Sequence, residues 1–413
     1  MKKLGLYLHI PFCMKKCLYC DFLSFADVST EIQNDYMEML IREVVLKGKL
    51  YGNKYDVDSI FIGGGTPSLI DEALIADLMS AIRANFNVLE GAEISIESNP
   101  KTLTKSKLEA YFGAGINRIS IGAQSMDDNC LKLLGRIHNA EDLVDNYKLA
   151  RDAGFKNINI DLMFAIPGQS REIWQETLKK TIELKPEHIS FYSLQIEEGT
   201  PYFEMFKTGK LDQTADEADR NMYHMGIEML KEAGYSHYEI SNAAKPGYEC
   251  RHNLKYWSFT DYLGLGLGAH SFIRNGGRDI NRIDGVNNKN VPSHTSGKNG
   301  SYETNEIRFS NTKNLENYME KCRTGKSAVD WHHINTQKDS ISEYIFTGLR
   351  KTKGINLQEF EKMFGMSVEE YYKEQWLNIN RFIRDKCLFM SRDKLMLTEK
   401  GIDISNTILT EFV

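Results

Sequence analysis

Short apolar, β-branched runs recur through the first half of the chain, at Leu4–Ile10, Ser59–Ile62, Glu93–Glu97, Arg118–Ile121, Asn157–Phe164 and His188–Leu194. Between them apolar residues return at helical spacing, as at Tyr36, Met39, Leu40, Glu43 and Val44, or Leu74, Leu78, Ala81 and Ile82. Six β/α units in succession predict an α/β fold with a parallel sheet and helices outside it, as a doubly wound sheet or a barrel. The strand ends favour the barrel. The first run leads into a cysteine loop and the second into Gly63-Gly64-Gly65-Thr66-Pro67, while Glu97, Gln124, Asp161 and Gln195 close the others. Packing would not select these residues, and the carboxyl ends of parallel strands converge on one rim, where barrel enzymes gather their chemistry. The pattern predicts a partial (β/α)6 barrel, open around a polar ligand. For Glu97 and Asp161 singly, the plainer alternative is that each caps the helix after it.

The second half differs in kind. Residues 284–306 are rich in Asn, Ser and Gly, so a mobile or exposed loop is expected there. Helical patterns follow at Ile341–Lys351, Leu357–Phe364 and Val368–Lys386, then a hairpin pattern at Leu388–Met390 and Leu395–Leu397, and a last helix at Ile404–Phe412. Three helices with a hairpin predict a small winged-helix-like module. The expected organisation is a barrel over 1–240, a barrel-closing segment and loop over 241–310, and the C-terminal module over 311–413.

Charge and cysteine usage narrow the function classes. Lys and Arg number 51 against 57 Asp and Glu, a net charge of −6, and Glu359, Glu361, Glu369 and Glu370 stand where a recognition helix would need positive charge. Nucleic acid is therefore not expected as a partner. The apolar stretch after Met-Lys-Lys contains His9 and Pro11 with no small-residue cleavage site, and no run is long enough to span a bilayer. Seven cysteines, three clustered and Cys130, Cys250, Cys322 and Cys387 scattered, form no disulfide framework. A reducing, cytoplasmic location is expected, with the scattered four as buried hydrophobes.

The clustered three carry chemistry. Cys13-Met-Lys-Lys-Cys17-Leu-Tyr-Cys20 holds three thiols with lysines between them, and three thiolates leave one position of a soft metal centre open. A structural zinc site wants four protein ligands, for which His9 is the nearest extra donor. A [4Fe–4S] cubane held at three corners exposes its fourth iron to a small molecule. The cubane is the first reading, with zinc or simple packing as alternatives. Gly63-Gly64-Gly65-Thr66-Pro67 lets a ligand approach bare backbone, and no Gly-Lys-Ser follows to make it a P-loop. Gly264-Leu-Gly266-Leu-Gly268-Ala-His270 suits a strand or turn where another backbone or a flat ligand comes close, closing the barrel's open side. The tandem His332-His333 reads as a surface pair without an acidic partner.

Taken together, Cys-x3-Cys-x2-Cys after the first strand, Tyr19 before the last cysteine and Gly-Gly-Gly-Thr-Pro after the second strand resemble the radical S-adenosylmethionine (SAM) superfamily. Within it the chain resembles the oxygen-independent coproporphyrinogen III oxidase family. The likeness covers most of residues 4 to 275 through Tyr7-Leu-His-Ile-Pro-Phe-Cys, Ser-Ile-Glu-Ser-Asn-Pro, Ile-Gly-Ala-Gln-Ser and Ile-Asp-Leu-Met-Phe-Ala-Ile-Pro-Gly. The resemblance implies a [4Fe–4S] cluster on Cys13, Cys17 and Cys20, with SAM on the open iron. It also implies a SAM site lined by Tyr7, Tyr19, Gly64, Gly65, Thr66, Glu97, Gln124, Arg136 and Asp161, with Gln195 a further candidate. In that site Gly65 would offer backbone to the methionine amine, Arg136 would pair with the carboxylate, and Glu97 and Asp161 would accept from ribose hydroxyls.

Two departures matter. Phe22 stands where the oxidases have a fourth cysteine, and only twelve residues precede Cys13, without the longer extension of those oxidases. Both place the chain nearer the family's haem-chaperone branch. Cys250-Arg-His252-Asn253-Leu-Lys-Tyr256-Trp257 is similar to the His-Asn-x-x-Tyr-Trp signature of that branch. The implied roles are His252 as haem ligand, Cys250 as its rival, and Tyr256 and Trp257 packed on the macrocycle; the plainer alternative is a satisfied core histidine beside two packed aromatics. The expected function is haem binding and delivery to acceptor proteins, with an electron donor as a further partner if SAM is cleaved. The alternative is oxygen-independent coproporphyrinogen III dehydrogenase, a radical oxidative decarboxylase, against which Phe22 argues; a haem-degrading radical methyltransferase is a third class.

Overall fold

The computed structural model describes residues 1–274 and 306–413. All of the 284–306 loop except Glu306 lies outside these residues. Six parallel strands carry the first half: β1 (Lys2–Ile10), β2 (Tyr55–Gly64), β3 (Asn87–Ser98), β4 (Arg118–Gln124), β5 (Ile158–Phe164) and β6 (His188–Ser193). Most run longer than the apolar cores that announce them, because ladder pairing continues through flanking polar residues. Each of the first five strands is followed by a helix whose N-cap side chain accepts a first-turn amide: Ser29, Asp71, Thr104, Asn139 and Ser170. Their apolar stripes, such as Tyr36, Met39, Leu40 and Val44, are buried against the sheet.

Each of the six strands pairs with its neighbour in sequence. Parallel strands paired in sequence order, joined by crossovers of the usual single hand, put the helices on one face and curl the sheet, which is the barrel and not the doubly wound solution. Four more strands extend the β1 side: β9 (Tyr262–Leu265), β10 (His270–Ile273), β11 (Ile307–Asn311) and β12 (Val329–Ile334). Beyond β6 lie β8 (Asn242–Ala244) and then β7 (Ser236–Glu239). The twelve-stranded order is β12-β11-β10-β9-β1-β2-β3-β4-β5-β6-β8-β7. β9 runs parallel to β1, making β1 an interior strand, and the remaining additions are antiparallel. The Gly264–Gly268 alternation thus supplies a seventh parallel strand and its turn.

A separate core forms from helices Gln337–Gly348, Leu357–Phe364 and Trp376–Arg384 on a three-stranded sheet of Ile355–Asn356, Leu388–Met390 and Lys394–Leu397. The expected helix Val368–Lys386 is two helices, Val368–Tyr371 and Trp376–Arg384. Tertiary packing overrides the periodicity there: Tyr372 is buried and donates its hydroxyl to the Phe412 carbonyl, drawing the chain out of helical path. Val329–Ile334 pairs with Ile307–Asn311, so the boundary expected between residues 310 and 311 falls inside a strand of the large sheet. No helix among the described residues is long and apolar enough to cross a membrane.

Candidate functional site

The cysteine loop leaves the carboxyl end of β1 and is held by its backbone. Leu18 donates to the Leu134 carbonyl at 3.2 Å, and Tyr202 donates to the Leu18 carbonyl at 3.0 Å. All three thiols are free and half-buried. Thr66 Oγ1 donates to Cys13 Sγ at 3.6 Å and Arg136 Nη1 to Cys17 Sγ at 3.4 Å. Burial pushes the Cys13 and Cys20 thiols up from their ordinary range. Among the described residues no three His, Cys, Asp or Glu side chains are gathered to ligate a single ion.

His9 is not a spare donor. Its Nε2 contacts the Leu23 carbonyl at 2.9 Å and its Nδ1 the Tyr7 hydroxyl at 2.9 Å. A carbonyl can only accept, so Nε2 carries the proton and Nδ1 accepts from Tyr7. Burial keeps the ring neutral by pushing its pKa down. With both nitrogens engaged, the zinc alternative loses its fourth ligand. Three thiols around one loop, with a hydroxyl on one sulfur and a guanidinium on another, fit a three-cysteine iron–sulfur centre.

The glycine run is shaped by the same histidine. Gly64 has φ +117° and a Cβ there would sit 2.6 Å from the His9 ring, so only glycine fits. Its amide donates to Glu97 Oε2 at 2.9 Å. Gly65 donates to the Ile10 carbonyl, so the group it can turn to an ammonium is its own carbonyl. Asn99, which the sequence reading did not single out, joins the two sides: its Nδ2 donates to Thr66 Oγ1 at 2.8 Å, and its Oδ1 accepts from Arg136 Nη2 at 2.5 Å. Arg136 also reaches the Gly122 carbonyl at 2.6 Å, while its buried Nε has no partner among the described residues. That leaves one charged N–H for an incoming acceptor such as a carboxylate.

Deeper in the barrel, a cavity of about 230 Å³ is lined by Tyr7, Phe61, Glu97, Arg118 and Asp161 among others. Burial, with a further push from Asp161, raises the Glu97 carboxyl to about 7. Asp161 accepts from Ser120 and Asn159 at 2.8 Å each. Burial and the Glu97 charge raise the Tyr7 hydroxyl. Tyr19 is likewise raised by burial, in the field of Arg136, Cys17 and Cys20.

Gln124 ends β4 with φ +67°, where the register against β5 shifts, and its Oε1 accepts from the Tyr192 hydroxyl at 3.0 Å. Tyr192 belongs to the site and was hidden inside a strand pattern. Gln195 stands apart: it is exposed beyond the end of β6 and lines no described cavity of the site. Phe22, in the place of the oxidases' fourth cysteine, is 65% exposed.

The segment nominated for haem is built differently. Helix Arg251–Trp257 starts on Cys250, and its first amides, from Arg251 and His252, donate to the buried Glu93 carboxylate at 3.0 Å. The Cys250 thiol points at the same carboxylate at 3.5 Å, and burial pushes it up to about 12. His252 is fully buried, with Nδ1 3.0 Å from Ser59 Oγ and Nε2 3.0 Å from the Tyr256 hydroxyl. Burial, helped by Lys255 and Arg118, pushes it down to about 3. His252 and Tyr256 line the barrel cavity, and in this arrangement both His252 nitrogens and the Cys250 thiol are hydrogen-bonded within the protein. His252 and Cys250 are struts, and Tyr256 is bound into the same cluster by its ring contacts with His252 and Tyr262. Trp257 faces away, under the Arg350 guanidinium at 4.5 Å, in a cleft with Lys351 and Gly354 of the C-terminal module. His333, expected to lack an acidic partner, contacts Asp339 at 3.0 Å.

Two family descriptions match the chain: "Radical SAM superfamily" over residues 7–181 and "HemN C-terminal domain" over residues 335–404. The chain is 34% identical over 416 residues to a protein named heme chaperone HemW from Buchnera aphidicola, covering 99% of this chain and 98% of that one. It is 30% identical over 410 residues to the heme chaperone HemW of Lactococcus lactis, covering 98% and 96%. Among solved structures, a coproporphyrinogen III oxidase from Escherichia coli, described as a radical SAM enzyme, superposes with a TM-score of 0.82 at 24% identity, over 100% of this chain and 90% of that one. At that identity the likeness is one of fold.

Proposed function

The chain belongs to the HemW family of the radical SAM superfamily, and we propose on that footing that it is a haem carrier. In this reading it holds a [4Fe–4S] cluster and SAM, binds haem and passes it to acceptor proteins. Cys13, Cys17 and Cys20 would hold the cluster, which would supply a coordination position for SAM and a reducing electron. Arg136 fixes the Cys17 sulfur and turns its free Nε–H to the carboxylate. Thr66 and Asn99 hold that guanidinium in place, and Glu97 and Asp161 accept from the ribose. Gly64 and His9 keep the glycine edge against the loop. The reading is carried by one observation: Arg136 ties the Cys17 sulfur to Asn99 with one N–H to spare, in a chain alike end to end to proteins named heme chaperone.

The test is a haem titration of anaerobically reconstituted protein, followed by mixing with an apo haem protein. A saturable haem spectrum that moves to the acceptor supports the reading. Formation of protoporphyrinogen from coproporphyrinogen III at enzymatic rates would replace it with the oxidase alternative.

A further inference from the structure

Ten histidines occur in the sequence, of which His294 lies outside the described residues. Seven of the other nine have a ring nitrogen bonded to the protein, as in His9, His188 and His252. Among the described residues only His270 and His332 do not. Both are exposed, and they face opposite sides of the same sheet.

His270 lies on the barrel's inner side. Tyr7 lines the cavity and pairs with Gly264; Tyr262 pairs with Phe272, two residues from His270; and His270 pairs with Ser310, which pairs with Trp331. Strand alternation therefore carries one face from the cavity to the sheet's edge through Tyr7, Gly264, His270, Ser310 and Trp331. The C-terminal core covers the neighbouring end of that face, at Tyr262 and Phe272. At the other end His270 and Trp331 are exposed.

Its surroundings are flat. Gly264 admits no side chain, since a Cβ would lie 2.3 Å from the His270 carbonyl, and Ser310, between His270 and Trp331 in the register, is small and buried. Trp331 is 48% exposed with its ring 6.4 Å from that of His270. Lys313 and Arg308 act on the imidazole as nearby positive charges. Arg308 is paired with Glu343, whereas Lys313 is exposed and lies beside Gly268, where Leu23 of the cysteine loop also approaches. An open imidazole, an exposed aromatic ring beside it and a cation suit a planar metal macrocycle with carboxylate arms.

We propose that this open face of β9–β12 is where haem docks, with His270 as axial ligand, Trp331 against the macrocycle and Lys313 facing a propionate. The proposal rests on the haem-carrier reading and gives it a place distinct from His252. It puts the cargo at the lip of the cysteine loop.

The test titrates cluster-loaded protein with hemin and compares wild type with His270→Ala, Trp331→Ala and His332→Ala, the last altering the other open histidine. His270→Ala is expected to lose the imidazole-ligated Soret and spin signature and to weaken binding at least about tenfold, with iron–sulfur content unchanged. Trp331→Ala is expected to weaken binding less while keeping the Soret position, and His332→Ala to match wild type. A His270→Ala spectrum and affinity equal to wild type would overturn the site while leaving the haem-carrier reading standing. So would a Trp331→Ala change in oligomeric state alone, which would make this face a protein interface. Failure of wild type to bind hemin would remove the reading and the site together.

Discussion

The cysteine loop and the His252 helix were both marked by the sequence as chemistry, and the fold treats them in opposite ways. In the loop the backbone is pinned at Leu18 while the thiols remain half-buried and only loosely engaged. In the helix the named groups turned to the barrel are spent, the first amides on Glu93, the His252 nitrogens on Ser59 and Tyr256, the Cys250 thiol on Glu93, and the buried Trp257 Nε1 on the other side lacks a partner among the described residues. A reactive residue type does not distinguish a ligand from a strut. What distinguishes them is whether a lone pair or a proton is left over after packing.

The largest effect that can break this contrast lies in the loop. Cys17→Ser is expected to abolish the broad iron–sulfur absorbance near 400 nm (order of magnitude for such charge-transfer bands) and the bound sulfide, with little change in thermal unfolding. Retained iron and sulfide would show the loop to be no more than packing. His252→Ala should do the reverse. It removes two hydrogen bonds and leaves a cavity against Phe61, for a loss of about 3 kcal/mol in chemical unfolding, with cluster content intact. A variant as stable as wild type would break the description of that helix as a strut.

Gly64→Ala probes the seam between the glycine edge and the loop. The positive φ and the 2.6 Å approach to His9 predict a loss of about 2 kcal/mol, together with a looser cysteine loop, read as slower cluster reconstitution. The smallest effect belongs to Glu97, on the wall of the cavity between the two segments. Its folded carboxyl titrates near 7, above its unfolded value. The folded state therefore holds the extra proton between these values, and stability falls as pH rises through that window. Wild type should lose about 1–2 kcal/mol between pH 5 and pH 8, less than the full shift implies because the carboxyl faces an open cavity. Glu97→Gln should flatten the difference, and parallel pH profiles would deny the buried charge.

Much of the barrel was legible because its signals are local. Apolar runs at strand length and three closely spaced cysteines need only neighbours in sequence to be read. The rest depends on pairing at a distance. The short strands β9–β12 carry weak patterns, and nothing near Tyr262 announces that it lies beside Gly5. Asn99 was legible only as part of a motif, because its role is to touch Thr66 and Arg136 from the far side of the rim. The partners of the His252 segment were illegible for the same reason: Ser59 and Glu93 are far away in sequence. The break at Tyr372 is set by Phe412, some forty residues later.

The place of β1 inside the sheet has a temporal consequence. Its parallel partner β9 follows about 250 residues later, and at roughly 5–20 residues per second a ribosome takes on the order of ten to fifty seconds to deliver it. Throughout that interval the newborn amino-terminal strand shows a bare hydrogen-bonding flank, and the wall that presses Gly266 against His9 has yet to be synthesised. Any iron loading before the nascent chain is released would therefore meet a half-assembled mouth, so a cluster on this loop would be expected to follow translation.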